Sequence, residues 1–230
     1  MVPRRMSDRR LATLVLLVVA SCACVALVAL RMERTGTDEY GFLLWNLFLA
    51  WLPFVFALAV YDGYRRGLGP AYVLGFGGLW ILFLPNAPYI VTDFVHLDEL
   101  GAAPLWYDGV TVAAFAATGL VVGLGSLFLV QAVVTAWRGP LAGWLVSAAA
   151  LALSSVGVYL GRFVGVNSWD AVLHPTTVLG PVLERLGDPL SYPRFVGGTV
   201  VLTAFLVLAY ALLYNVAHLG LSLEPRRRHR

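Results

Sequence analysis

The residues from Leu11 to Leu30 run for twenty positions without a charged side chain. At 1.5 Å per residue a helix of that length covers about 30 Å, the thickness of a bilayer's hydrocarbon core. Five further apolar runs follow, at about 41–61, 70–91, 109–137, 140–159 and 195–219. The pattern predicts an all-α fold, a polytopic integral membrane bundle of about six transmembrane helices. The fourth run is long enough to tilt or to project beyond the core. No polar stretch is large enough to bury a soluble core, so residues 11–219 read as a single membrane domain. A basic N-terminus (1–10) and a basic tail (220–230) flank it.

The third run carries its own interruption. In Leu84-Pro85-Asn86-Ala87-Pro88 two prolines three apart remove two backbone donors, so this helix is expected to kink or break. Broken backbone at membrane depth must be buried in protein or face a wet cavity. In the fourth run Gly119 and Gly123 form a small-xxx-small pair that admits a close neighbour, more simply within the monomer than in a dimer. Between the fifth and sixth runs, Gly180 and Pro181 are expected to start a short interfacial helix ending at Gly187, with Val182, Leu183 and Leu186 towards lipid.

Charge assigns the sides. An even number of spans puts both termini together. With the N-terminus inside, the inner segments hold Arg4, Arg5, Arg9, Arg10, Arg65, Arg66, Arg138, Arg226, Arg227, Arg228 and Arg230, eleven in all. The outer segments hold five, Arg31, Arg34, Arg162, Arg185 and Arg194. That bias predicts cytoplasmic termini. The net charge of +3 resides largely in the two ends, which favours membrane anchoring over a nucleic-acid partner. At 60% hydrophobic and 13% charged residues the chain is far from the roughly 25% charged content of soluble domains. Cys22 and Cys24, two apart on one helix, cannot bridge each other and have no cysteine partner elsewhere. The leader through Cys22 has some likeness to a lipoprotein signal, but the apolar run continues to Leu30, which favours a retained helix.

Polar residues collect at the outer ends of the spans. If the third helix resumes after Pro88, Asn86, Tyr89, Asp93 and His96 share one face, with Asp98 and Glu99 following. A second group, Ser155, Tyr159 and Arg162, leads into Asn167-Ser168-Trp169-Asp170 and then His174, two spans later and so on the same side. Asn46 lies at similar depth in the second run. Intramembrane polar residues are costly enough to suggest function. Each also has a structural use: Asn167 with Asp170 as a capping box, or Asp93 with Arg162 as a lock between helices. Asp93 and His96, joined by Asp170 or His174, are candidate ligands for a divalent metal such as Zn or Mn, although no HExxH spacing fixes them.

The strings Trp45-Asn46-Leu47-Phe48-Leu49-Ala50-Trp51-Leu52-Pro53, Leu84-Pro85-Asn86-Ala87-Pro88-Tyr89-Ile90-Val91-Thr92-Asp93, Tyr159-Leu160-Gly161-Arg162-Phe163 and Asn167-Ser168-Trp169-Asp170 resemble a bacterial multi-pass family, domain of unknown function 1361. The resemblance implies a bacterial cell-membrane protein and supplies no activity or catalytic residues. Three readings stay open. The outer pocket binds or passes a small polar solute or ion; it is an enzyme site for a lipid-linked or envelope substrate; or the outer loops hold a partner in assembly. The lipid bilayer is the one partner common to all three, and the sequence carries no oligomeric state.

Overall fold

The computed structural model describes residues 4–97, 102–166, 168 and 170–218, and among them there is no strand. Helix α1 (Arg4–Thr35) runs unbroken through Cys22, and α2 (Gly41–Arg65) returns antiparallel to it. Gly67, at φ 68°, closes α2: its N–H reaches the Tyr64 carbonyl and the Leu68 N–H reaches Gly63, the paired bonds of a Schellman motif. Pro70 then opens α3 at a position where no backbone donor is needed.

The third span runs from Pro70 to His96 in three pieces. Helix α3 (Pro70–Phe83) stops ahead of Pro85, α4 (Asn86–Tyr89) makes one turn, and a 3-10 segment (Ile90–His96) completes the crossing. The chain returns through α5 (Leu105–Arg138), whose 34 residues cover about 50 Å and therefore project beyond a hydrocarbon core. Helix α6 (Pro140–Tyr159) widens into a π turn (Leu160–Val164). Short helices α7 (Asp170–Leu173) and α8 (Pro175–Gly187) precede α9 (Pro193–Ala217).

Among the described residues six helices are long and apolar enough to cross a membrane, 10–35, 41–65, 70–96, 105–138, 140–164 and 193–217, which makes this a multi-pass membrane protein. Helix α5 is the most buried and α9 the least, so α5 forms the axis of the bundle. Alternation gathers the α1–α2 turn, His96, the π turn and α7–α8 at one end, called here the site end. Arg65, Arg66 and Arg138 lie at the other.

One expectation is corrected. Helix α8 begins at Pro175, with Pro181 inside it, because Pro175 already occupies the favourable first position. Val182 faces a cavity in the protein, while Leu183 remains exposed. The side chain of Leu186 lies outside the described residues. The Trp51 indole N–H donates to Ser21 Oγ at 3.0 Å, joining α2 to α1.

Candidate functional site

The third span breaks because Pro85 and Pro88 cannot donate, and the break is sealed by a side chain. The Ala87 N–H bonds to the Leu84 carbonyl, and Asn86 Nδ2 donates to the Phe83 carbonyl at 2.9 Å. The same Nδ2 donates to Ser168 Oγ at 3.0 Å, tying the break to the segment after the π turn.

Glycines seat the broken segment. A Cβ on Gly119 would stand 2.8 Å from Ile90 Cδ1, one on Gly123 would overlap the Ala87 Cβ, and one on Gly157 would stand 2.5 Å from Pro85 Cγ. The Gly119 and Gly123 pair thus serves packing within the monomer, and a third notch on α6 completes the seat.

In a 3-10 helix residues three apart eclipse, so Ile90, Asp93 and His96 fall in line. Asp93 is 1% exposed. Asn46 Nδ2 donates to its Oδ2 at 2.9 Å, and Arg162 Nη1 lies 3.4 Å from its Oδ1. Arg162 Nη2 donates to the Thr92 carbonyl at 3.1 Å and to His96 Nε2 at 2.8 Å, which requires a neutral imidazole protonated on Nδ1. The Tyr89 ring lies 5.8 Å from the guanidinium carbon, and Phe42 packs edge-on against the His96 ring. The π turn that carries Arg162 ends at Gly165, whose φ of 76° reverses the chain.

Asn46, Tyr89, Asp93, His96 and Arg162 therefore form one connected group, and Asn86, held by Phe83 and Ser168, shares a cavity wall with Asn46 and Tyr89. Tyr159 does not join it. Its ring packs on Phe163 and Phe195 and lines a separate apolar cleft of about 570 Å³ against α9, and Ser155 bonds back to the Leu151 carbonyl. Asp170 opens α7 without lining the main cavity, and His174 is exposed ahead of α8. Asn167, Asp98 and Glu99 lie outside the described residues, and with Asn167 the capping box.

Carboxylate and imidazole both end on Arg162, not on open space. A guanidinium 2.8 Å from His96 Nε2 would repel a cation there. Among the described residues no three His, Cys, Asp or Glu side chains gather as a metal site.

Beside this group lies a cavity of about 580 Å³, between α2, the broken span, α6 and α8. Its polar lining among the described residues is Asn46, Asn86, Tyr89 and Ser168, with the Trp45 indole beside them, and no charged side chain among the described residues lines it. The ion pair sits one residue behind this wall. Both amide orientations are settled by their partners: a carboxylate and a backbone carbonyl accept only, so Nδ2 faces them and each Oδ1 is left as an acceptor.

A second buried ion pair, not apparent in the sequence, stands at the same end. Arg31 grips Asp108 through Nε to Oδ1 at 2.8 Å and Nη2 to Oδ2 at 3.2 Å, and reaches Thr37 and Glu39. Its guanidinium carbon lies 4.0 Å from the centre of the Tyr40 ring. Burial, and after it the Asp108 charge, pushes the Tyr40 phenol up to about 12. Two of the five arginines at the site end are thus neutralised by buried aspartates.

Six spans among the described residues, the third of them broken, define a multi-pass helical membrane protein with a cavity at one end. The family model described as Protein of unknown function (DUF1361) matches residues 45–210, and the chain belongs to that family. All the residues that form this cavity wall and the ion pair behind it fall within the match, whereas Arg31 lies before it. No curated protein and no solved structure matches the chain.

Proposed function

We propose that the protein sits in a bacterial plasma membrane with both termini cytoplasmic, and that its outward-facing cavity binds a small polar molecule. The observation that carries this reading is the fixing of the Asn46 and Asn86 amides by their Nδ2 groups. Two carbonyl acceptors and the hydroxyls of Tyr89 and Ser168 remain for a ligand. The Asp93–Arg162 pair holds the wall in place. The arginine bias supports the orientation.

A cavity that takes a polar group from the outer aqueous phase must be wet at Ser168. In a chain with Cys22 and Cys24 replaced by serine, Ser168→Cys is expected to react with a small charged thiol reagent added outside intact cells. A cysteine there that stays unreacted in folded protein, and reacts once the protein is denatured, refutes the reading.

A further inference from the structure

Polarity along the cavity follows the direction of the helices. Helix α2 runs inward from the site end, so Leu49 lies deeper than Asn46. The third span and α6 run the other way, so Gly78 and Ile81 lie deeper than Asn86 and Tyr89, and Leu153 deeper than Gly161. From Leu153 to Gly161 the wall extends about 12 Å. Its polar groups are all at the site end and its deeper lining is apolar, the same order as headgroup and chain in a bilayer leaflet. On the α8 side it is walled by Val178 and Val182.

Building on the polar-ligand reading, we propose that this cavity holds a single-chain amphiphile with an uncharged, hydroxyl-bearing head. Its hydrocarbon chain lies along Leu49, Ile81 and Leu153, and its head hydroxyls donate to the Oδ1 atoms of Asn46 and Asn86. A doubly ionised phosphate head offers only acceptors, and would leave both amide oxygens unpaired. An ammonium head would find no carboxylate among the described lining residues, because Asp93 is behind the wall and already paired with Arg162. The chain itself gains little on leaving lipid, since bilayer hydrocarbon is as apolar as a leucine-lined groove. Selection therefore rests on the head. Leaving buried acceptors unpaired is expected to weaken binding at least about tenfold.

The test is photolabelling of the full chain in lipid nanodiscs by an alkyl glucoside carrying a diazirine in its chain. Labelling is expected to saturate, to map to the cavity wall, and to be displaced by unlabelled alkyl glucoside. The alkyl phosphate of equal chain length, kept doubly ionised at about pH 9, is expected to compete at least about tenfold more weakly. Gly78→Trp, at a lining glycine with nothing within 4 Å, fills the cavity and is expected to abolish labelling, as is Val182→Trp on α8. Gly75→Trp, away from the lining, is expected to leave it intact. Equal competition by phosphate and glucoside, or labelling indifferent to both tryptophans, overturns the assignment. Competition by free glucose as strong as by the glucoside overturns the amphiphile while leaving the polar pocket standing, as does absence of labelling in a protein whose Ser168→Cys is wet.

Discussion

Arg162→Met is the substitution that most directly tests whether the ion pair holds the site together. It removes the charge 3.4 Å from Asp93 Oδ1 and the donors to Thr92 and His96, leaving a carboxylate that is 1% exposed with Asn46 as its remaining donor. At an effective dielectric of about 20, charges at that separation attract by about 5 kcal/mol, which is a ceiling because the Arg162 side chain is 15% exposed and both ions were desolvated. Breaking such a pair from one side typically costs about 3–5 kcal/mol. Asp93→Asn keeps the size and the acceptor for Asn46 but leaves Arg162 uncompensated, and it is expected to cost somewhat less. The double variant should lose less than the two singles together, by a coupling of about 2–4 kcal/mol. That is well above the average of about 0.6 kcal/mol for a hydrogen bond between membrane helices. The assay is reversible unfolding in micelles of fixed composition for all four proteins. Single costs below about 1 kcal/mol that add within about 0.5 kcal/mol would show a solvated pair and refute the reasoning.

Three further outcomes follow from the geometry. Gly123→Leu and Gly157→Leu should each destabilise by at least about 1–3 kcal/mol through overpacking, whereas Gly197→Leu, with nothing within 4 Å, should stay within about 0.5 kcal/mol in the same unfolding assay. Arg31→Lys should lose about 1.5–3 kcal/mol despite keeping the charge, because an ammonium cannot reproduce the fork on Asp108. Equal melting temperatures for wild type and Arg31→Lys would contradict it. In a chain otherwise free of cysteine, Leu190→Cys, 91% exposed in the wild type as leucine, should react with an impermeant thiol reagent on intact cells. Arg66→Cys should react only after permeabilisation, and the reverse pattern would invert the proposed orientation.

The spans were legible because twenty-residue apolar runs have one stable form in lipid. The break was legible for the same kind of reason, since proline's missing donor is a local property. Asp93 with Arg162 could be offered as a pair because span counting put both on one side. Tyr159 was grouped with Arg162 by α-helical spacing, and the π turn beginning at Leu160 undoes that spacing by widening the helix between them. Arg31 and Asp108 stand 77 residues apart, each near the end of an apolar run, where arginine and aspartate ordinarily meet water. Nothing local distinguishes them. The orientations of the Asn46 and Asn86 amides depend on which carbonyl the break frees and on where the carboxylate ends up, which are properties of the assembled bundle.

The seating of the broken span on Gly119, Gly123 and Gly157 bears on how such a protein can diversify. There glycine meets the side chains of Ala87, Ile90 and Pro85, and any added carbon collides, so the seat of the broken span is closed to gradual change. The wall supplied by α8 includes Val178 and Val182, and trimming or enlarging them alters the cavity's volume without disturbing that seat. Variation in what the cavity accepts is therefore expected to accumulate along α8 while the glycine seat stays unchanged.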